Sequence, residues 1–264
     1  MKNQKTIASF AWAIGVLAVW ELGALVLAKG LRDPMAASKL PLPQDVAVTI
    51  ARNVGPLAEA SGMTLSKAAI GFAIGAAVGY VLAVVMSVSR ATERIAYPYL
   101  IMSQMIPVLG LAPIIFNLVR NMDASRIVIA AYITFFPVAA NSLTGFKSVD
   151  PEKRQLMYSY AAGLPTTYAK LMLPFSMPHL FAGLKIAAPM SVTASILVDM
   201  LGSKGGIGVK LLYSLYGGQV DIFWASVLTS AAMGIASYLI VLLAERVCVP
   251  WRTVALVDTG VRHE

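Results

Sequence analysis

Six segments of this chain are apolar over about twenty residues or more, and each is long enough to cross about 30 Å of hydrocarbon as a helix. Only 13% of the residues are charged, against about a quarter in a soluble domain, and 58% are hydrophobic. A soluble fold of this size could not cover its surface with so few charges. The sequence therefore predicts an all-α integral membrane protein whose 264 residues form a single transmembrane domain. The six predicted transmembrane helices span residues 6–28, 64–88, 95–118, 127–146, 180–201 and 222–247.

The basic residues of the loops predict the orientation in the membrane. With the N-terminus inside, eleven Lys and Arg residues lie on the cytoplasmic side and eight on the opposite side, which is the bias that the positive-inside rule favours. Lys2 and Lys5 also precede the first apolar segment as they would in a signal peptide. That segment is longer than the roughly 7–15 residues of a signal core, so we expect it to be retained as a helix. The prediction is an N-in, C-in protein of the bacterial inner membrane.

Several classes of chemistry have no residues to support them. The net charge is +8, but Lys and Arg are scattered between apolar runs without the basic stripe that nucleic acid requires. One cysteine, Cys248, and two histidines, His179 and His263, exclude an internal disulfide and a zinc cluster. The sequence has no Gly-x-x-x-x-Gly-Lys-Ser/Thr loop for ATP phosphates and neither of two common hydrolase motifs. It is therefore predicted to be no enzyme and to hold no metal or cofactor of its own.

Two connections between apolar segments are long enough to carry structure of their own. In the first, Pro41 and Pro43 favour an extended backbone. Residues 44–60 then have the periodicity of an amphipathic helix, which would lie on the outer side of the bilayer.

The second long connection, residues 148–177, would lie inside the cell and is punctuated by residues that start and end helices. Asp150 followed by proline is typical of a helix start. Gly163 is expected to end that helix, and Pro165 to begin a second, short one that ends before Pro174. Two short helices joined by a tight turn would form a rigid projection from the membrane.

Polar residues beside prolines mark where a water-filled path could run. The third apolar segment carries three prolines, which free backbone carbonyls and bend a helix, and the fifth carries a row of hydroxyl side chains. The same groups could equally form hydrogen bonds between helices, and the sequence leaves both interpretations open. The residues predicted to line the path are Ser103, Gln104, Met105, Pro107, Thr193 and Ser195.

Small and charged residues within the spans carry further predictions. Gly71, Gly75 and Gly79 clear one helix face for close approach, either within this chain or between two subunits. Lys185 and Asp199 stand near predicted span ends, where their side chains could reach the interface. No pair of acids marks the membrane centre, so a proton-coupled carrier would lack its relay.

The inner connection resembles a known loop. The sequence QLMYSYA at residues 155–161 and KLMLP at 170–174 is similar to the EAA loop of permease subunits in binding-protein-dependent ABC importers. In that family a Glu-Ala-Ala-like start, a glycine and a Leu-Pro ending mark the loop that docks on the ATPase. Gln155 and Ala161 depart from the glutamate and the glycine of that pattern. The sequence LPLP at 40–43 resembles the branch that imports nitrate, sulfonates, taurine or pyrimidine thiamine precursors.

The resemblance implies partners and a role for the loop. It implies a homodimer of permeases, two cytoplasmic ATPase subunits that bind ATP and Mg²⁺, and an external solute-binding protein. The second short helix would be a coupling helix seated in the ATPase. The glycine-rich residues 202–208 would face the binding protein, either as a flexible arm or as a plain turn. The residues expected at the ATPase interface are Gln155, Ala161, Gly163, Pro165, Thr166, Thr167, Tyr168, Lys170 and Pro174.

These observations favour a permease subunit that forms the translocation pathway of an ATP-driven importer for a small solute. One alternative is a secondary carrier driven by an ion gradient, which should show a midplane charge or a broken-helix ion site together with inverted repeats. Another is an intramembrane enzyme, which would need a nucleophile with its base or a metal set. The sequence shows the features of neither.

Overall fold

The chain is described by a computed structural model that covers residues 2–30, 39–202 and 204–251. These residues contain eleven α-helices and no β-strand. Arg252 and Arg262, counted above for the orientation, lie outside the described residues. The helices are α1 Lys2–Leu25, α2 Pro43–Arg52, α3 Val54–Val88, α4 Arg90–Gln104, α5 Val108–Val119, α6 Met122–Lys147, α7 Pro151–Ser159, α8 Leu164–Thr167, α9 Leu173–Met200, α10 Ile207–Tyr216 and α11 Val220–Cys248.

Four helical stretches of the described chain are long and apolar enough to cross a membrane: α3, α6, α11 and the continuous stretch Leu164–Met200. The bent pair formed by α4 and α5 would be a fifth if it is counted as one span. The first predicted segment is also helical, as α1, and the apolar side chains described in residues 11–22 are largely exposed. The all-α prediction is therefore confirmed, and four or five of the predicted spans are present. The number six stays a prediction.

The third predicted span, which its prolines were expected to bend, is divided into two helices. Its two halves, α4 and α5, meet at an angle of 97°. The break lies at Pro107, which takes an extended conformation before α5. Proline lacks the N–H that would continue the helix and disfavours the α conformation in the residue before it. Pro98 and Pro113 are accommodated inside α4 and α5, so only one of the three prolines ends a helix.

The outer amphipathic helix is shorter than residues 44–60. It is α2, which ends at Arg52, and the next helix already begins at Val54. Val46 of α2 is buried in a cluster that includes residues of α3 and α11. The indole of Trp20 donates a hydrogen bond to the Pro41 carbonyl over 3.0 Å, which ties α1 to the start of α2. Helix α3 therefore starts ten residues before the predicted second span, and only Asn53 separates it from α2.

Helix α6 is the centre of the bundle and packs along both α3 and α9. A Cβ atom added at Gly71 would lie 2.5 Å from the Ala130 Cβ, and the backbone of α6 is equally close to Gly75 and Gly79. On the other side of α6, a Cβ added at Gly183 of α9 would lie 2.7 Å from the Pro137 carbonyl oxygen. The glycine stripe of α3 therefore serves packing within this chain, which settles the alternative that the sequence left open.

Candidate functional site

The connection between α6 and α9 is held to the bundle at its first helix, α7. The Asp150 carboxylate accepts a hydrogen bond from the Glu152 backbone N–H over 3.0 Å, which confirms the predicted N-cap. The Arg154 guanidinium donates to the Phe146 carbonyl over 2.7 Å, and this contact satisfies the C-terminal end of α6. The Lys153 ammonium lies 5.0 Å from the centre of the Phe175 ring on α9. Helix α7 is therefore fixed to both neighbouring helices.

The turn after α7 is closed by Ala161 and not, as predicted, by Gly163. Ala161 has φ +50°, the left-handed conformation. The Ala161 N–H donates to the Tyr158 carbonyl over 2.9 Å and the Ala162 N–H to the Met157 carbonyl over 3.0 Å, which is the Schellman pattern that ends helices. Gly163 has φ −65° and stands in an extended conformation before α8. Ala161 is thus an alanine in a conformation that favours glycine, at the position where the resemblance places a glycine.

Replacing Ala161 with glycine is expected to raise the free energy of unfolding by about 0.5–1 kcal/mol. The left-handed conformation costs an alanine roughly 1–2 kcal/mol, and the greater backbone entropy of glycine offsets about half of that gain. The measurement is unfolding by SDS in mixed micelles. Ala162→Gly is the matched control because Ala162 does not have positive φ, and it should not stabilise. An Ala161→Gly protein of lower stability than the parent would contradict the strain assigned to this turn.

The second short helix does not end before Pro174. It continues from α8 through a π-helical turn, Tyr168–Met172, into α9, so that Leu164–Met200 is one stretch of 37 residues. In the π-helical turn the Leu173 N–H donates to the Tyr168 carbonyl five residues back. The wider turn accommodates Pro174, whose ring would otherwise clash with the carbonyl of the preceding turn. The predicted separate helix is therefore one end of a helical stretch that is long and apolar enough to cross a membrane.

Tyr168 faces the bundle. Its hydroxyl lies 2.9 Å from the Ser87 Oγ at the end of α3, and its ring centre is 6.1 Å from that of Phe146. Thr167 is half-buried beside it. Tyr168 therefore positions the loop against α3 and α6 within the chain. Tyr168 thus fixes the geometry of whatever surface the loop presents.

The remaining predicted docking residues, apart from half-buried Pro174, are exposed: Gln155, Ala161, Gly163, Pro165, Thr166 and Lys170. Four larger side chains between them were not predicted. We call these the loop face: Leu156, Tyr158, Tyr160 and Leu164, whose exposed fractions are 55%, 86%, 75% and 69%. Exposed apolar side chains outside the spans are typical of a protein interface. The sequence signal was available, because five of the nine residues 156–164 are large apolar or aromatic residues in a segment outside the predicted spans.

The residues predicted to line a path lie on two elements. Around the break between α4 and α5, the Ser103 hydroxyl donates to the Leu100 carbonyl over 2.6 Å, and Met105 is 73% exposed. The Gln104 amide nitrogen is buried and has no hydrogen-bond partner among the residues that the structure describes. On α9, Thr193 is exposed, whereas Ser195 is fully buried between helices. Pro107, at the break itself, is exposed.

The charges predicted to reach the interface are paired inside the protein instead. The Lys185 ammonium lies 2.6 Å from the Glu245 carboxylate on α11. The Arg126 guanidinium lies 2.9 Å from the Asp199 carboxylate, and both side chains are at least 96% buried. Buried charges are tolerated in proteins when they are paired and hydrogen-bonded. The prediction for Lys185 and Asp199 is wrong because their partners lie far away along the chain.

The buried pair of Arg126 and Asp199 also fixes the glycine-rich segment. Arg126 donates to the Gly205 carbonyl over 2.6 Å, and the Thr64 hydroxyl donates to the Asp199 carboxylate over 2.5 Å. Gly206 has φ +121° and packs directly on that carboxylate, where a side chain would collide with it. Residues 205 and 206 are therefore part of a turn held by buried polar contacts, which favours a turn over a flexible arm.

Comparison with known proteins places this geometry in a family. Residues 71–248 match the family described as "Binding-protein-dependent transport system inner membrane component". The chain belongs to this family. The matched region covers α4 to α11 entirely, together with the second half of α3, so both the loop face and the buried charge pair lie inside it.

Curated relatives of this permease chain are themselves transport permeases. The formylaminopyrimidine transport permease protein ThiX of Halalkalibacterium halodurans is 28% identical over 192 residues, which are 72% of this chain and 76% of ThiX. The putative aliphatic sulfonates transport permease protein SsuC of Bacillus subtilis is 24% identical over 245 residues, 92% of this chain and 89% of SsuC. The resemblance to this branch of permeases is confirmed, and the relatives are transport subunits and not enzymes.

A solved structure shares the fold. It is described as "Crystal structure of an amino acid ABC transporter with histidines", and it superimposes with a TM-score of 0.63 at 16% identity over 75% of this chain and 97% of the other. Nearly all of that chain therefore has a counterpart here. The permease is a multi-pass protein of the inner membrane, as the family and its apolar helices show.

Proposed function

We propose that this permease forms the translocation pathway of an ATP-driven importer for a small solute, as a homodimer with two cytoplasmic ATPase subunits and an external binding protein. Each subunit would cross the membrane six times with both termini inside. The observation that carries the proposal is the loop face, an exposed apolar surface between α7 and the start of the stretch Leu164–Met200. The chain supplies a docking surface, and the hydrolysis of ATP would take place in its partners.

The rigidity of the loop supports a role in force transmission. Tyr168 is bound to Ser87 on α3, and Arg154 is bound to the end of α6. Movement of a partner bound to the loop face would therefore be transmitted to α3, α6 and α9 together, because α9 continues directly into the loop. Such a contact suits an ATPase whose two copies approach and separate during hydrolysis.

The proposed path runs near the break between α4 and α5. The amide nitrogen of half-buried Gln104 is itself buried and has no partner in the described chain, and leaving a buried donor unsatisfied costs about 1–3 kcal/mol. A second permease subunit or a passing solute would supply the missing hydrogen bond. Met105 and Pro107 expose an adaptable surface beside it. The path would therefore be closed by the second copy and not by this chain alone.

The double variant Tyr158→Ala, Leu164→Ala tests the docking role. Truncating an exposed tyrosine at an interface centre costs about 2 kcal/mol, so we expect about a thirtyfold weaker association with the ATPase subunits. The readouts are co-purification of the cognate ATPase with the permease, and uptake together with binding-protein-stimulated ATP hydrolysis in proteoliposomes. All three should fall together in the variant.

The matched control is Tyr216→Ala. Tyr216 is also highly exposed, at 81%, but it lies on α10, at the end of the molecule opposite the loop face. This variant should keep the ATPase bound. Full ATPase binding and coupled uptake by the Tyr158, Leu164 double variant would rule out the loop face as the docking site.

A further inference from the structure

A cleft with a volume of about 700 Å³ opens at the end of the bundle opposite the loop face. Its walls come from α3, from the connection between α5 and α6, from the start of α6 and from the turn after α9. The loop face follows the C-terminal end of α6, whereas the cleft surrounds its N-terminal end. The two features are therefore separated by the length of α6, about 39 Å for 26 residues.

The cleft carries an excess of positive charge. Its walls include Lys67, Arg120, Arg126 and Lys204, together with one carboxylate, Asp123. Asp123 lies 3.6 Å from the Lys67 ammonium and 3.4 Å from the Arg126 guanidinium. Behind the wall, Asp199 is paired with Arg126. Four basic side chains thus face two carboxylates, which leaves an excess of two positive charges.

The excess positive charge lies on two basic residues that form no ion pair with a carboxylate in the described chain. Arg120 and Lys204 are both exposed to the cleft. They come from connections that are themselves fixed, Arg120 as the left-handed cap of α5 and Lys204 beside Gly205, whose carbonyl is bound by Arg126. Positive charges held on rigid segments around a concavity concentrate anions from solution.

We propose that this cleft is a binding site for a small anion, a solute carrying a sulfonate, carboxylate, phosphate or similar oxyanion group. The inference rests on the proposed function, because it places the cleft on the outer side, where a solute would arrive. Its volume lies within the range of small-molecule sites, roughly 300–1,000 Å³. Arg120 and Lys204 would bind the anionic group, and the pair of Lys67 and Asp123 would orient it.

Reaction of a cysteine inside the cleft measures the local anion preference. Ser66→Cys is placed in a Cys248→Ser background, since Cys248 is the chain's one cysteine, and Ser66 lines the cleft. In nanodiscs of phosphatidylcholine, two methanethiosulfonate reagents are compared, one bearing a sulfonate and one a quaternary ammonium group, each normalised to its rate with 2-mercaptoethanol. We expect the sulfonate reagent to react about tenfold faster than the ammonium reagent.

Added anions then report on binding. The rate of the cysteine reaction is measured at increasing concentrations of ethanesulfonate, sulfate or nitrate. Each anion replaces chloride, so that the ionic strength stays constant. At least one of them should slow the reaction in a saturable manner. The double variant Arg120→Asn, Lys204→Gln should lose both the protection and the rate preference, since asparagine tolerates the left-handed conformation of residue 120. Lys210→Gln is the matched control, because Lys210 lies at the same end of the molecule but lines a different cavity, and it should keep both.

Three results would overturn the inference. Absence of saturable protection by all three anions would remove the site, and so would protection that survives in the double variant. Protection seen only in nanodiscs containing phosphatidylglycerol would assign the cleft to a lipid headgroup and not to a solute. In each of these cases the proposed function would stand, provided that the complex still couples ATP hydrolysis to uptake. Failure of the unaltered chain to bind the ATPase subunits would instead overturn the proposed function, whatever the cleft binds.

Discussion

Replacing Asp199 with alanine is expected to lower the free energy of unfolding by about 3–5 kcal/mol, the range for a buried ion pair that loses one partner. The reason is the Arg126 guanidinium, which is 4% exposed and would keep its charge without the carboxylate 2.9 Å away. Asp123 lies 3.4 Å from the same guanidinium, but its side chain is 57% exposed and compensates only in part. The Thr64 hydroxyl would lose its acceptor as well.

A second substitution separates the ion pair from simple loss of packing. The double variant Arg126→Met, Asp199→Ala removes the orphaned charge, so it should recover at least half of the stability lost in Asp199→Ala alone. Stability is measured by SDS unfolding in mixed micelles. The control is Glu93→Ala, which breaks a partly exposed pair with Lys147, whose side chain is 56% exposed, and should cost no more than about 1 kcal/mol. A similar small loss in Asp199→Ala would show that the buried pair contributes little.

Replacing Gly75 with leucine is expected to cost at least about 3 kcal/mol and to prevent accumulation of the folded permease. Even a Cβ atom at this position would lie 2.7 Å from the Thr134 Cβ and closer still to the Ala131 carbonyl of α6. Both atoms belong to the central helix, and neither can move without displacing α6 from α3. Overpacking of a fixed core costs about 1–3 kcal/mol, and more when backbone must move.

The matched control for this substitution lies on the same helix. Gly62 is also in α3, but a Cβ atom added there would meet no atom within 4 Å. Gly62→Leu should therefore leave stability unchanged or slightly raised, because glycine is unfavourable inside a helix. The yield of monodisperse protein after detergent extraction and its melting temperature compare the two variants. Equal behaviour of Gly75→Leu and Gly62→Leu would mean that α3 and α6 are less closely packed than described.

Local features of the sequence predicted much of the architecture. The cap at Asp150 forms as expected because an N-cap depends only on residues within one helical turn. The spans follow from hydropathy, which is a property of continuous segments. The glycine spacing also predicted a close helix approach at Gly71. It did not predict which helix packs there, because spacing along one helix carries no information about the neighbouring surface.

The features that sequence reasoning missed depend on distant partners. Asp199 was expected to reach the interface, because nothing within several residues of it suggested a cation, and Arg126 is 73 positions earlier. The helix through Pro174 was expected to end, because its continuation depends on a π-helical turn that neighbouring α3 and α6 support through Tyr168. The predicted docking and path residues stay predictions that the experiments above address.

The continuous helical stretch Leu164–Met200 connects the loop face mechanically to the opposite end of the bundle. At 1.5 Å per residue its 37 residues extend over about 55 Å, with the loop face at one end and Asp199 at the other. A tilt of about 5° would displace one end by roughly 5 Å relative to the other by this geometry. Because Asp199 fixes the turn that carries Lys204, such a tilt would reshape the cationic cleft directly. Widening or narrowing of that cleft would then follow directly from movement at the loop face.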